Sequence, residues 1–375
     1  MKLVNPFKPT AGAEPPVLIG RDKVIADFSD GLDEGVGSPA RLMRITGPRG
    51  SGKTVLLTEL GDLARSRGWE VVDETAAPDL LAHIGHALQR DGAHPDASAD
   101  LDLGIVKAHI GMPDTESPST LREALSRAAA TYAGKHAGIL VTIDEIQDAD
   151  EDDVREIAAA VQHLIREKKN IAFVFAGITT GVMDLINGQA LTFLRRAKAE
   201  ELAAIPLDEV SDAFRETIRR SGLDISDGAL AAATNATAGY AYLIQLVGYH
   251  IWRAAKAHTE LSPVIDEDDV DRGIKLAMRD FDATVHETAI ARLPLKAVEY
   301  LLAMAQDEGV SSTTEIACRL NMKPNALTST RRMLIRRQAI ESTARGFVTF
   351  SIPCMREFLL ENKADILGRY GVSVD

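Results

Sequence analysis

Cysteine is nearly missing from this 375-residue chain, which carries only Cys318 and Cys354. Two thiols build neither a disulfide framework nor a zinc site, so the sequence fits a reducing compartment, with each cysteine expected as a small core hydrophobe. Long apolar runs are missing too. No stretch approaches about 18 consecutive apolar residues, and the opening MKLVNPFKPT holds none of signal-peptide length, so the expectation is a cytoplasmic protein without a membrane segment. Positive charge is scarce: 42 Lys and Arg stand against 55 Asp and Glu, a net charge of -13. That balance excludes a protein that coats nucleic acid by bulk charge and leaves room only for a local basic face. What remains is ordinary for a globular chain of two or three domains, 45% apolar and 26% charged.

Against this background one stretch carries chemistry. Gly47, Pro48, Arg49, Gly50, Ser51, Gly52, Lys53 and Thr54 fit the phosphate-loop pattern GxxxxGK[ST]. An apolar strand precedes it at Leu42, Met43, Ile45 and Thr46, and Val55, Leu56, Leu57, Leu60 and Leu63 follow at helical spacing. The glycines let successive backbone N–H groups and a helix N-terminus face phosphate oxygens. Lys53 adds charge to the cradle, and Thr54 brings a hydroxyl suited to Mg²⁺. Val55 completes the segment expected around ATP.

A second landmark is GILVTIDEIQD at Gly138–Asp148. Its near-continuous apolar run reads as a central parallel strand covered on both faces. At the end of that strand Asp144 is suited to hold Mg²⁺ and Glu145 to deprotonate an attacking water; the bland alternative is a capping pair for the helix that follows. Before the loop, Ile19, Gly20 and Arg21 lie where an apolar stretch covers an adenine ring or merely packs a helix on the sheet. After it, Trp69–Val72 reads as a short strand and 77–90 as a helix. Asp91–Ser119 reads as a surface insertion with a strand or hairpin near Leu101, Leu103 and Ile105, and 120–134 as a capped helix. Ile171–Ala176 is a further buried strand, with Thr179 or Thr180 placed to sense a γ-phosphate or to cap a helix. A last strand is expected at Leu202–Ile205. Just before it, Arg195 and Arg196 are either solvated charges or, in an oligomer, a source of positive charge for a neighbour's γ-phosphate.

Taken together, GPRGSGKT, LVTIDE, FVFAG and FLRRA resemble an AAA+ ATPase core over roughly residues 17–260, most like the origin-recognition and replication-initiator branch. The resemblance implies an α/β fold with a five-stranded parallel sheet and a helical lid. It places Lys53 and Thr54 on phosphate and Mg²⁺, and Asp144 and Glu145 in the acidic motif. Lys53, Glu145 and a finger, Arg195 or Arg196, would be its catalytic residues, the finger acting across a homo-oligomer. One departure stands out. The lid stretch Ala238–Leu243 supplies no arginine where the family often has one, which puts a lid-driven hydrolysis cycle in doubt.

The expected organisation is an extended arm at 1–16 holding four prolines, a nucleotide-binding core at 17–206, a lid at 207–285 and a winged helix-turn-helix at 286–375. In that last part helices at Lys296–Gln306, through Leu320 and at Asn325–Gln338 precede an alternating hairpin at Ile340–Phe350. Leu295–Phe350 holds eight basic residues against five acids, a net +3, while the rest of the chain stands at -16. Lys323, Thr328, Arg331, Arg332, Arg336, Arg337 and Arg345 are therefore the candidates for double-stranded DNA. Two functions compete: an ATP-dependent DNA-associated switch, and an ATP-latched signalling or assembly protein whose winged helix holds a protein partner. A helicase is a weaker reading, because no second recombinase-like core or helicase motif follows the acidic pair, and kinase activity lacks support.

Overall fold

The computed structural model of the chain describes residues 4–10, 12–90, 120–132, 136–187, 194–258 and 263–372. The hairpin expected near Leu101–Ile105 lies outside them. Five parallel strands form the central sheet: β1 (Leu42–Thr46), β2 (Glu70–Thr75), β3 (Ile139–Asp144), β4 (Ile171–Gly177) and β5 (Lys198–Glu201). They stand in the order β2-β3-β4-β1-β5, so β1 lies between β4 and the edge strand β5. All residues of β3 and β4 are buried, as their unbroken apolar runs require when helices cover both faces. Helices α1 (Asp22–Glu34) and α2 (Lys53–Ser66) pack on one face. The other is covered by α3 (Leu80–Arg90), α4 (Leu121–Thr131), α5 (Glu151–Arg166) and α6 (Thr179–Asn187). Thr120 caps α4, in a reciprocal box with Glu123.

The last strand corrects the sequence reading. It forms at Lys198–Glu201, four residues before the expected Leu202–Ile205, with Met43 opposite Lys198 and Thr46 opposite Glu201. An edge strand has one face and one side in contact with solvent, so KAEE pairs without an apolar run. Leu202 and Ile205 instead leave the sheet and bury their side chains in two different apolar clusters. The cysteines are a second correction. Cys318 is exposed, because its helix turns Ile316 and Ala317 inward, and Cys354 is half-buried in a left-handed turn at φ 57°.

Four helices form the lid: α7 (Leu207–Arg220), α8 (Asp227–Ala236), α9 (Ala241–Lys256) and α10 (Glu267–Phe281). Between them, β6 (Asp224–Ile225) and β7 (Val264–Ile265) make a two-residue parallel pair. His250, on the packed face of α9, is buried and bonds Asp280 at 2.8 Å. The amino-terminal arm does not hang free of this body. Phe7 is 3% exposed and meets Phe214 edge-on at 5.7 Å, and a Cβ on Gly248 would lie 2.3 Å from its ring. Glycine at 248 is thus a requirement of close approach. Asn5 donates to the Tyr249 carbonyl at 3.0 Å, and the Lys8 amide donates to Gln245 at 3.1 Å.

After α10 the chain makes one π-helical turn at Asp282–His286 and continues into α11 (Glu287–Ile290). The winged helix follows as α12 (Leu295–Met304), α13 (Thr313–Arg319), α14 (Thr328–Arg336), α15 (Met355–Glu361) and α16 (Lys363–Gly368). Strands β9 (Ile340–Ala344) and β10 (Phe347–Phe350) make the wing, with β8 (Ser311–Ser312) beside β10. The third helix begins later than expected, because Pro324–Leu327 forms a 3₁₀ turn before α14. His286, fully buried in the π turn, joins lid to winged helix. Its Nδ1 faces the Asp282 carboxylate and its Nε2 the Pro353 carbonyl, both at 2.7 Å, and its ring stacks on Phe358 at 4.9 Å.

Truncating the arm's anchor should expose how firmly it is held. Phe7→Ala is expected to destabilise the lid by about 3 kcal/mol, the usual cost of emptying a buried phenylalanine site. It should appear as a lower urea midpoint together with faster proteolysis at residues 8–16.

Candidate functional site

Strand β1 ends at Thr46, and the chain turns through Gly47–Gly52 into the amino end of α2. Gly50 and Gly52 have φ of 73° and 91°, which a side chain would strain. At Gly50 there is also no room, since a Cβ would stand 2.6 Å from the Tyr240 hydroxyl. Lys53 is 5% exposed and donates to the carbonyls of Gly47 and Pro48 at 3.1 and 3.0 Å. Burial lowers its pKa from the ordinary lysine value, while Glu145 and Asp144 pull the other way. The ammonium is therefore a desolvated cation at the mouth of a glycine turn. The buried Ser51 hydroxyl in the same turn has no partner. A cradle of this composition fits a phosphate chain.

The acidic pair sits where the sheet order predicts. Only β4 separates β1 from β3, so their carboxyl ends converge, and Thr54 donates its hydroxyl to Asp144 Oδ2 at 2.5 Å. Asp144 is 7% exposed, and its other oxygen accepts the Glu145 amide at 2.9 Å. Glu145 has a left-handed backbone, φ 50°, rare for a glutamate and of a kind found at functional sites. A third residue, unmarked in the sequence reading, holds it. Gln147 donates Nε2 to Glu145 Oε2 at 2.6 Å, and its Oε1 accepts the Ile178 amide at 3.0 Å. One side-chain amide thus ties Glu145 to the end of β4. Thr179 and Thr180 open α6 at this same edge, and the Thr180 hydroxyl is buried without a partner.

The cradle opens into a cavity of about 550 Å³ whose walls come from distant parts of the chain. Arg49–Val55 and Glu145 form its floor; Val17, Leu18, Ile19 and Arg21 line one side. Gly20, named with them, is not in the wall. It turns at φ 67° with Ile205 and Glu209 close by. Arg21 is buried and donates to the carbonyls of Ser51 and Ala203 at 3.1 and 3.4 Å, so it braces the loop from behind. Burial lowers its pKa, opposed by Glu209. The arm and the lid supply walls absent from the sequence reading: Lys8, Pro9 and Thr10 from one, Ala241, Tyr242 and Gln245 from the other.

The lid touches the loop directly. Tyr240 donates its hydroxyl to the Arg49 carbonyl, and the Tyr242 amide donates to the Gly50 carbonyl at 3.3 Å. Burial pushes the Tyr240 pKa up to about 12, so this hydroxyl remains a donor across the physiological range. The lid position without an arginine is thus filled by a tyrosine that grips the loop's backbone.

The paired arginines lie elsewhere. Arg195 donates to the Ile186 carbonyl at 3.1 Å and the Asn187 carbonyl at 3.5 Å, satisfying the carboxyl end of α6. Arg196 is exposed and borders a cavity with Pro39, Leu42 and Ile171, at the amino ends of the strands. Neither joins the P-loop of its own chain. In the winged helix Lys323, Arg332 and Arg345 are exposed, with Thr328 and Arg331 half-buried. Arg336 and Arg337, predicted with them, instead line a cavity that includes Pro48, Arg49 and Gly50.

The charge state of the cradle can be tested without any ligand. Because burial disfavours the Lys53 ammonium, Lys53→Met is expected to raise the melting temperature of the ligand-free protein. The same change should weaken triphosphate binding about 10- to 100-fold, the loss of a charge-assisted contact. Thermal shift with and without nucleotide reads both effects.

Comparison with known proteins places these features. Residues 17–174 match the AAA ATPase domain family, and residues 283–359 match a domain of unknown function (DUF8462). No curated protein matches the chain in sequence. Among solved structures, the Aeropyrum pernix ORC2 protein, described as ADPNP–ADP complexes, aligns with a TM-score of 0.63 at 14% identity, covering 97% of this chain and 98% of that one. A point mutant of Thermotoga maritima RuvB aligns at 0.50 and 15% identity, covering 88% and 93%. Residues 17–174 are thus similar to the AAA ATPase domain family, and the chain as a whole has the α/β AAA+ fold seen in the Aeropyrum ORC2 protein.

Proposed function

We propose that the chain binds ATP at Gly47–Thr54, hydrolyses it with Glu145 as the general base, and uses the cycle as a switch on double-stranded DNA. The observation that carries the enzymatic part is the unit Thr54–Asp144–Glu145–Gln147 at the mouth of the phosphate cradle. The loop amides and Lys53 would hold the phosphate chain. Thr54 and Asp144 would hold Mg²⁺, which when bound supplies positive charge to the β- and γ-phosphate oxygens. Glu145 accepts a proton from water, and Gln147 fixes the carboxylate that does so. The nucleotide reported with the Aeropyrum ORC2 protein supports a nucleotide in this fold.

The DNA part is supported by a helix-turn-helix with a two-stranded wing and by exposed Lys323, Arg332 and Arg345 on a segment of net +3. Arg195 and Arg196 lie away from the chain's own loop, so a finger role for Arg196 requires a second copy; Arg195 already serves α6. The latch reading, with slow turnover and a protein partner, draws on the lid, where Tyr240 rather than an arginine meets the loop.

Two measurements separate these readings. Glu145→Gln is expected to keep ATP affinity while lowering turnover about 10²- to 10⁴-fold, the usual contribution of a positioned base. Undiminished hydrolysis by that variant removes Glu145 from the reaction. Reversing Lys323, Arg332 and Arg345 to glutamate is expected to lower duplex affinity at low salt and flatten its salt dependence by about one unit per lost phosphate contact. Unchanged affinity, or none to begin with, favours the latch.

A further inference from the structure

The winged helix closes on the nucleotide site with the end of α14. Arg336 and Arg337 line a cavity of about 440 Å³ with Arg49, Gly50, Ile178 and Tyr242. This cavity and the one beside the phosphate cradle share Arg49, Gly50, Tyr242, Thr284 and Val285 as a common wall. The shared wall includes the phosphate loop itself. Ile178 belongs to the opposite rim, where its amide is bonded by the glutamine that holds Glu145. The second cavity therefore adjoins the loop on the side of β4 and the acidic residues.

Charge in this cavity is one-sided. Three arginines line it, and no aspartate or glutamate does. Among the described residues the side chains of Arg49 and Arg336 have no hydrogen-bond acceptor, while Arg337 reaches only the Arg292 carbonyl at 3.4 Å. Like charges gathered in a recess without a counter-charge raise the local potential and select a multivalent anion. A planar guanidinium takes phosphate oxygens in pairs, which an ammonium does not. On the neighbouring rim, the partnerless Thr180 hydroxyl lies in α6, which packs against α14.

We propose that Arg336 and Arg337 read the terminal phosphate of a bound nucleoside triphosphate within the same chain, so that triphosphate, and not diphosphate, clamps the winged helix onto the ATPase core. This rests on the nucleotide site described above and adds a sensor that the lid does not supply. It also gives two of the basic residues first assigned to DNA an internal ligand. The recognition helix thereby carries nucleotide state to whatever the winged helix holds.

The test uses the full chain and two nucleotides, ADP and a slowly hydrolysed ATP analogue, with affinities from calorimetry. The double variant Arg336→Ala, Arg337→Ala should lose at least tenfold in triphosphate affinity and less than twofold in ADP affinity. The lysine pair should recover only part of the loss. Both arginines are exposed, so the fold should persist, and an unchanged melting temperature without nucleotide verifies this. A fluorophore pair on α6 and the wing supplies a second readout: triphosphate should shorten the distance in the unaltered protein and not in the double variant. Equal losses for the two nucleotides, or none, overturn the inference alone. Failure of the unaltered protein to bind either nucleotide overturns the site reading, and this inference with it.

Discussion

The hydrogen bond from Thr54 to Asp144 spans 90 residues of sequence and depends on a single topological fact. Strands β1 and β3 run parallel with only β4 between them, so a loop leaving one and an acid ending the other arrive at the same edge. A parallel sheet gives every strand the same carboxyl end, and crevices for ligands form there. The apolar runs of β3 and β4 fix the middle of the sheet by burial on both faces, and their register holds β1 in place, with Thr46 opposite Gly177. Lose that register and the hydroxyl and carboxylate no longer meet.

Around this edge the molecule tolerates buried cations and arranges acceptors for them. Lys53 and Arg21 rest on backbone carbonyls near the loop. At the other end of the sheet, Arg41 donates to the carbonyls of Gly31 and Leu32 at 2.8 and 2.6 Å, bonds Asn170, and stacks over Trp69 at 4.9 Å. Burial lowers its pKa to about 10. Arg41 has a full set of partners and reads as a structural clasp between α1 and β4. Lys53 has only two carbonyls beside an open cavity. The same chemistry, a desolvated cation, is complete in one place and able to gain an anion in the other.

Legibility in the sequence followed the kind of constraint. The loop and the Asp144–Glu145 pair were readable because chemistry dictates both residue type and spacing. Strands β3 and β4 were readable because burial on two faces leaves an unbroken apolar run. Strand β5 was misplaced because an edge strand such as Lys198–Glu201 needs no such run, whereas the apolar residues just after it mimic one. Gln147, Tyr240 and Phe7 were missed for a different reason: each acts through a partner supplied by tertiary contact. Phe7 alone left a trace, as an aromatic between Pro6 and Pro9 in a segment with no other reason to hold one. Arg336 and Arg337 were legible as charge but not as position, because the packing of α14 on α6 joins segments about 150 residues apart.

The arm's docking also sets an order in time. Asn5 bonds the carbonyl of a residue 244 positions later, and Phe7 needs Phe214 and Gly248 for its socket. On a ribosome adding about 5–20 residues per second, the Asn5–Lys8 segment waits roughly 10–50 s for its partner. During that interval the parallel core can form while its phosphate cavity still lacks one wall. A nascent chain would thus acquire its sheet first and enclose its ligand site later, with the Asn5–Lys8 segment among the final pieces to settle.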